Sequence, residues 1–144
     1  MLVVALLLLL ATAANAIPRD EPSVEELKAR LSSTSIGDRP RLCVQIAQKQ
    51  LDETGKLYSA AELEKAQAAL TDVVAYSELA RDYAIQSHKY QKQTEIAVRA
   101  MTRKLTSIAH SLGHEDQAPV LDAINRLERV RDDLLATMFK KGAK

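Results

Sequence analysis

The sequence predicts an all-α fold, with elongated helical hairpins or a bundle built around one long central helix, about residues 60–112, and a C-terminal antiparallel helix. Three observations carry that expectation. Apolar residues recur at steps of three and four over most of the chain, no stretch shows the two-residue alternation of a strand, and neither Gly nor Pro occurs from Ser59 to Leu112.

The first sixteen residues hold no ionisable side chain, and Leu2 to Ala14 is apolar apart from Thr12. That run falls short of the ~20 residues a spanning helix needs, and Ala14-Asn15-Ala16 has the small-x-small pattern of a signal peptidase site. Residues 1–16 therefore read as a secretory signal peptide, although only the Met1 amine supplies the charge of a basic n-region. The alternative is an uncleaved interfacial anchor. Residues 17–22, with Pro18 and Pro22, read as a mobile leader, and residues 23–144 as a single helical domain.

Ser23-Val24-Glu25-Glu26 has capping-box spacing and opens a short helix, about 23–32, with Val24, Leu27 and Leu31 on one face. Gly37 and Pro40 mark the loop that ends it. Asp38 is the candidate N-cap of a second helix that tolerates Pro40 in its first turn and frays from Gly55. A second capping box, Ser59-Ala60-Ala61-Glu62, opens the long helix. Its seam keeps phase from Leu63 through Leu70, Ser77, Ala84, Gln91, Val98 and Leu105 to Leu112, which favours one continuous helix of about 50 residues and ~75 Å. Its weak point is Gln86 to Glu95, where the seam turns small or polar; a break there would give a compact bundle. Gly113 fits a left-handed cap, and Asp116 a new N-cap with Pro119 in the first turn of the last helix.

Composition narrows the function classes. An apolar content of 47% is too high for a disordered chain, and one cysteine cannot make a disulfide framework. Twenty bases against nineteen acids leave a net charge of +1, so bulk charge points to neither nucleic acid nor an anionic membrane. No stable membrane insertion is expected once the signal peptide is cleaved. Cys43, flanked by Leu42, Val44 and Ile46, reads as a small buried hydrophobe or, in an oxidising compartment, as an intermolecular bridge.

Glycine-rich phosphate loops, nucleophile elbows and H-E-x-x-H are absent from the sequence, so a non-enzymatic protein with no cofactor is expected. The metal candidates are His110 and His114, four apart but separated by Gly113. His88 stands alone. Tyr76, Tyr83 and Tyr90, seven apart, form a stripe that either packs a helix interface or, interleaved with Lys89, Lys92 and Arg99, offers an interaction surface to a polymer or peptide.

Charge divides along the long helix. Acids outnumber bases in its first half (Glu62, Glu64, Asp72, Glu78 and Asp82 against Lys65 and Arg81), while the second half sets Lys89, Lys92, Arg99, Arg103 and Lys104 against Glu95 alone. Two copies packed antiparallel would match these halves, so an antiparallel homodimer stands beside a compact monomer.

Residues 47–73, with Leu57, Ala61, Leu63, Ala66, Leu70 and Val73, resemble one tetratricopeptide-type helical hairpin, although Ala61 replaces the usual Gly and the terminal Pro is missing. The resemblance implies a helix-pair packing mode and a tendency to bind peptides. Together these readings predict a secreted or periplasmic interaction, scaffold or chaperone-like protein whose partner is another protein or itself. The alternative is a small-molecule or metal-binding helical bundle.

Overall fold

A computed structural model describes residues 21–140; the expected signal peptide and most of the leader lie outside the described residues. Five helices form, α1 (Val24–Leu31), α2 (Arg39–Ser59), α3 (Leu63–Ser87), α4 (Gln91–Ser111) and α5 (His114–Lys140), and no strand occurs among the described residues. The all-α bundle expected from periodicity is the observed architecture.

The long helix is not continuous, which corrects that part of the expectation. It stops at Ser87, reverses through His88, Lys89 and Tyr90, and restarts at Gln91. His88 and Tyr90 both take left-handed backbone, at φ 58° and 62°. Local side chains satisfy the groups that the break exposes. Ser87 Oγ donates to the Tyr83 carbonyl at 2.7 Å and accepts the Lys89 N–H at 3.3 Å, and Gln91 Nε2 donates to the Ala84 carbonyl at 3.4 Å. The phase held across the break because each half separately needs an apolar stripe of helical period.

Two antiparallel hairpins result. In the first, Gln50 bonds Asp72 and Arg39 bonds Tyr83, pairs placed symmetrically about Ala61. In the second, Glu95 bonds Arg131 and Ala109 accepts from Gln117, symmetric about Gly113. The hairpins stack in parallel: Asp52 pairs with Lys104 and Gly55 lies against Ile108 between α2 and α4, while Glu78 pairs with Arg126 and Arg81 with Asp133 between α3 and α5. Helix α1 packs on α2.

The core repeats where the sequence does not. Cys43, Ala47, Leu51, Thr54 and Tyr58 of α2 are buried, and at one constant offset so are Thr94, Val98, Thr102, Leu105 and Ala109 of α4. At an offset one residue shorter, Leu70, Val73, Ser77, Ala80 and Ala84 of α3 correspond to Val120, Ala123, Leu127, Val130 and Leu134 of α5, again all buried. Large and small residues trade places within these pairs, as in Thr54 with Leu105 and Ala84 with Leu134.

Three helix ends depart from expectation. Helix α2 runs past Gly55 to Ser59 because Tyr58 anchors its last turn in the core. The Ser59 capping box does not form. Instead Ala61 is left-handed at φ 58°, its N–H bonding the Tyr58 carbonyl at 3.1 Å while the Glu62 N–H bonds the Leu57 carbonyl at 3.0 Å, the bond pair of a Schellman motif. Gly113 is not left-handed. Leu112 turns to extended backbone at ψ 151°, Gln117 Nε2 bonds the Ala109 and Leu112 carbonyls at 2.9 and 3.2 Å, and α5 begins already at His114. At the other ends, Ser23 Oγ caps α1 by accepting the Glu26 N–H at 3.2 Å, whereas Asp38 precedes α2 without a side-chain cap bond.

Candidate functional site

The tyrosine stripe is held by cations from its own chain. Tyr76, Tyr83 and Tyr90 are half-buried, and each ring receives one charge from α1 or the start of α2. Lys28 Nζ lies 5.4 Å from the Tyr76 ring centroid, and the Arg39 and Arg41 guanidinium carbons lie 5.1 and 5.4 Å from those of Tyr83 and Tyr90. Arg39 also donates to the Tyr83 hydroxyl at 3.3 Å and to the Thr34 carbonyl at 2.9 Å. Lys28 bonds Asp72 at 2.8 Å, which holds its ammonium above the usual lysine range, and burial pushes the Tyr76 phenol up. The seven-residue spacing thus lines up rings on α3 and the α3–α4 reversal that receive Lys28 of α1 and Arg39 and Arg41 of the first turn of α2. The Lys89 stem lies across Gly37, where an added Cβ would come within 2.8 Å of its Cδ.

Arg99 and Lys92 belong to a different surface. Glu95, the single acid of α4, is turned inward with its side chain only 4% exposed. Arg99 grips it through two bonds of 3.1 and 2.6 Å, and Arg131 of α5 donates twice to its Oε1 at 3.2 Å while also reaching Glu128 at 3.1 Å. The Arg99 bonds, followed by those from Arg131, hold the Glu95 carboxyl below the usual carboxylate range against the opposing effect of burial. This clamp ties α4 to α5. Arg131 was missed in the sequence because it lies on another helix, whereas the i, i+4 spacing of Glu95 and Arg99 was there to be read.

With Glu95 withdrawn, the outer face of α4 is cationic. Lys92, Ile96, Arg99 and Arg103 follow one another at i, i+4, i+7 and i+11, so they share a stripe that His110 extends. Lys92, Ile96, Arg103 and His110 are exposed, Ile96 at 48%. Among the described residues neither Lys92 nor Arg103 enters an ion pair, whereas Lys104, on the flank toward α2, pairs with Asp52. Of the acids at the start of α3 and along it, Glu62 pairs with Lys65, Asp72 with Lys28, Glu78 with Arg126 and Asp82 with Arg81, and Glu64 enters no ion pair among the described residues. The acidic half of the former rod is therefore largely neutralised within its own chain.

Other candidate chemistry is sparse. Cys43 is fully buried, and burial pushes its thiol up to about 12, so it is neither a nucleophile nor able to reach a second molecule from the native fold. No group of three or more His, Cys, Asp or Glu that could hold a metal ion occurs among the described residues; His110 lies in the last turn of α4 and His114 starts α5. His88 is exposed in the reversal between α3 and α4. No helix among the described residues is long and apolar enough to cross a membrane. Compared with known proteins, the chain matches no family model, no curated protein and no solved structure.

Proposed function

We propose that this chain is a non-enzymatic helical interaction protein of the scaffold or chaperone-like kind, with the outer face of α4 as its working surface. The observation that carries this reading is the stripe Lys92, Ile96, Arg99 and Arg103, in which an exposed apolar side chain sits among cations while the only acid of the helix is buried and clamped. Exposed apolar surface ringed by charge is the form of a macromolecular contact. The stacked hairpins supply a rigid support, since α4 is held by α2 on one side and by the Glu95–Arg131 clamp with α5 on the other. On the reading of residues 1–16 as a signal peptide, the protein works outside the cytoplasm.

The test places a photo-crosslinking residue at Ile96 and, separately, at exposed Ala68 on α3, in the full chain expressed in its source cells. Crosslinking at Ile96 to one reproducible protein, identified by mass spectrometry and absent at Ala68, is the expected result. Equal labelling at both positions would refute the reading. So would a melting temperature raised by Zn²⁺ or Ni²⁺ and abolished by His110→Ala, which would instead establish the metal-binding bundle.

A further inference from the structure

We infer that the occupant of the α4 stripe is an acidic amphipathic helix supplied by a different protein. This rests on the reading of α4 as the working surface and adds the chemical class of its partner. The stripe is one helix wide and follows the axis from Lys92 to His110, about 27 Å at 1.5 Å per residue. A facing helix with carboxylates at i and i+11 would meet Lys92 and Arg103, one at i+7 would share the Arg99 guanidinium with Glu95, and an apolar residue at i+4 would cover Ile96. The pairing would be specific because a basic or neutral helix would leave these cations facing like charge or no charge.

A second copy of this chain fits poorly. Helix α3, which would have to supply the complementary charge, already spends Asp72, Glu78 and Asp82 on internal bases, which leaves Glu64 alone at its first turn. The exposed side of α5 mixes Asp122, Asp132 and Asp133 with Arg126 and Arg129. A lipid surface is also a weaker match. Ile96 is the one large apolar side chain within the stripe, whereas a helix lying on a membrane buries a broad apolar face. A nucleic acid would require no apolar contact at Ile96 and would draw on a far larger basic patch than these three side chains make.

The experiment measures fluorescence anisotropy of the full chain titrated into a labelled synthetic helix bearing Glu at the i, i+7 and i+11 positions and Leu at i+4. Control probes are the same helix with Gln or Lys in place of Glu, phosphatidylglycerol vesicles and oligo(dT). The Glu helix should bind most tightly and weaken with added salt. Lys92→Glu and Arg103→Glu should each weaken it about tenfold. Because both side chains are exposed and enter no ion pair among the described residues, circular dichroism should show these variants folded. Equal binding of the Gln helix, indifference to both charge reversals, or tighter binding to vesicles or oligo(dT) would overturn the assignment. Failure of the Glu helix alongside specific crosslinking at Ile96 would reject only the acidic class; failure of both would also remove the interaction reading.

Discussion

Helix α2 carries a glycine where an alanine belongs, and the turn after it carries an alanine where a glycine belongs. Gly55 lies inside a regular helix, where glycine costs about 0.5–1 kcal/mol relative to alanine. A Cβ added there would touch only Ile108 Cδ1, at an ordinary 3.7 Å. Ala61 holds left-handed backbone at φ 58°, which strains an L-residue by about 1–2 kcal/mol and a glycine hardly at all. Ala61→Gly alone should gain about 0.5–1 kcal/mol, because the unfolded chain recovers about 0.4–1 kcal/mol of entropy at the same time. The double variant Gly55→Ala/Ala61→Gly leaves composition unchanged, so the unfolded-state effects nearly cancel and the backbone strain is read directly. It should be more stable by about 1–2 kcal/mol, raising Tm by about 3–8 °C for a chain of this size. Differential scanning calorimetry of both single variants and the double decides the matter. An unchanged or lowered Tm for Ala61→Gly would refute the Schellman assignment of this turn.

The remaining predictions concern the clamp, the thiol and the core. Because the folded Glu95 carboxyl is held below its unfolded value of about 4.3, it stabilises fully above that pH, and its contribution fades as pH falls through the folded value. Glu95→Gln should therefore cost about 1–3 kcal/mol at pH 7 in urea unfolding and little at about pH 2; a penalty independent of pH would reject the clamp. Cys43 should resist a thiol reagent in the native protein and react on unfolding, so labelling at the native mixing rate would contradict its burial. The Tyr58 hydroxyl is buried without a hydrogen-bond partner among the described groups, so Tyr58→Phe should leave Tm unchanged or raise it, and a loss above about 1 kcal/mol would reveal a bond there. Leu127→Ala, at a fully buried position, should cost about 2–5 kcal/mol in the same assay.

By itself the sequence determined the helical class, the Ser23 cap, the antiparallel return of α5 after Gly113, and most of the seam that α3 and α4 bury. These follow from local backbone chemistry and from the period at which apolar side chains recur. It also confined the weak point of the long helix to Gln86–Glu95, although not the reversal at His88–Tyr90. An apolar stripe has the same spacing in one rod as in two helices joined by a tight turn. Only tertiary packing decided between them, because the reversed arrangement buries Val98 and Leu105 of α4 in a core shared with α2 and α5. The repeated hairpin was hidden for a related reason: what the two copies share is which positions are buried, while pairs such as Thr54 with Leu105 exchange large for small. Charge was least legible of all. Lys28, Arg39 and Arg41 look like solvated residues in the sequence yet lie over three tyrosines, while Arg131 crosses from α5 to neutralise Glu95. Which cations remain for a partner depends on which acids lie within a few ångströms after folding, since Coulomb attraction and hydrogen bonding act through space and not along the chain.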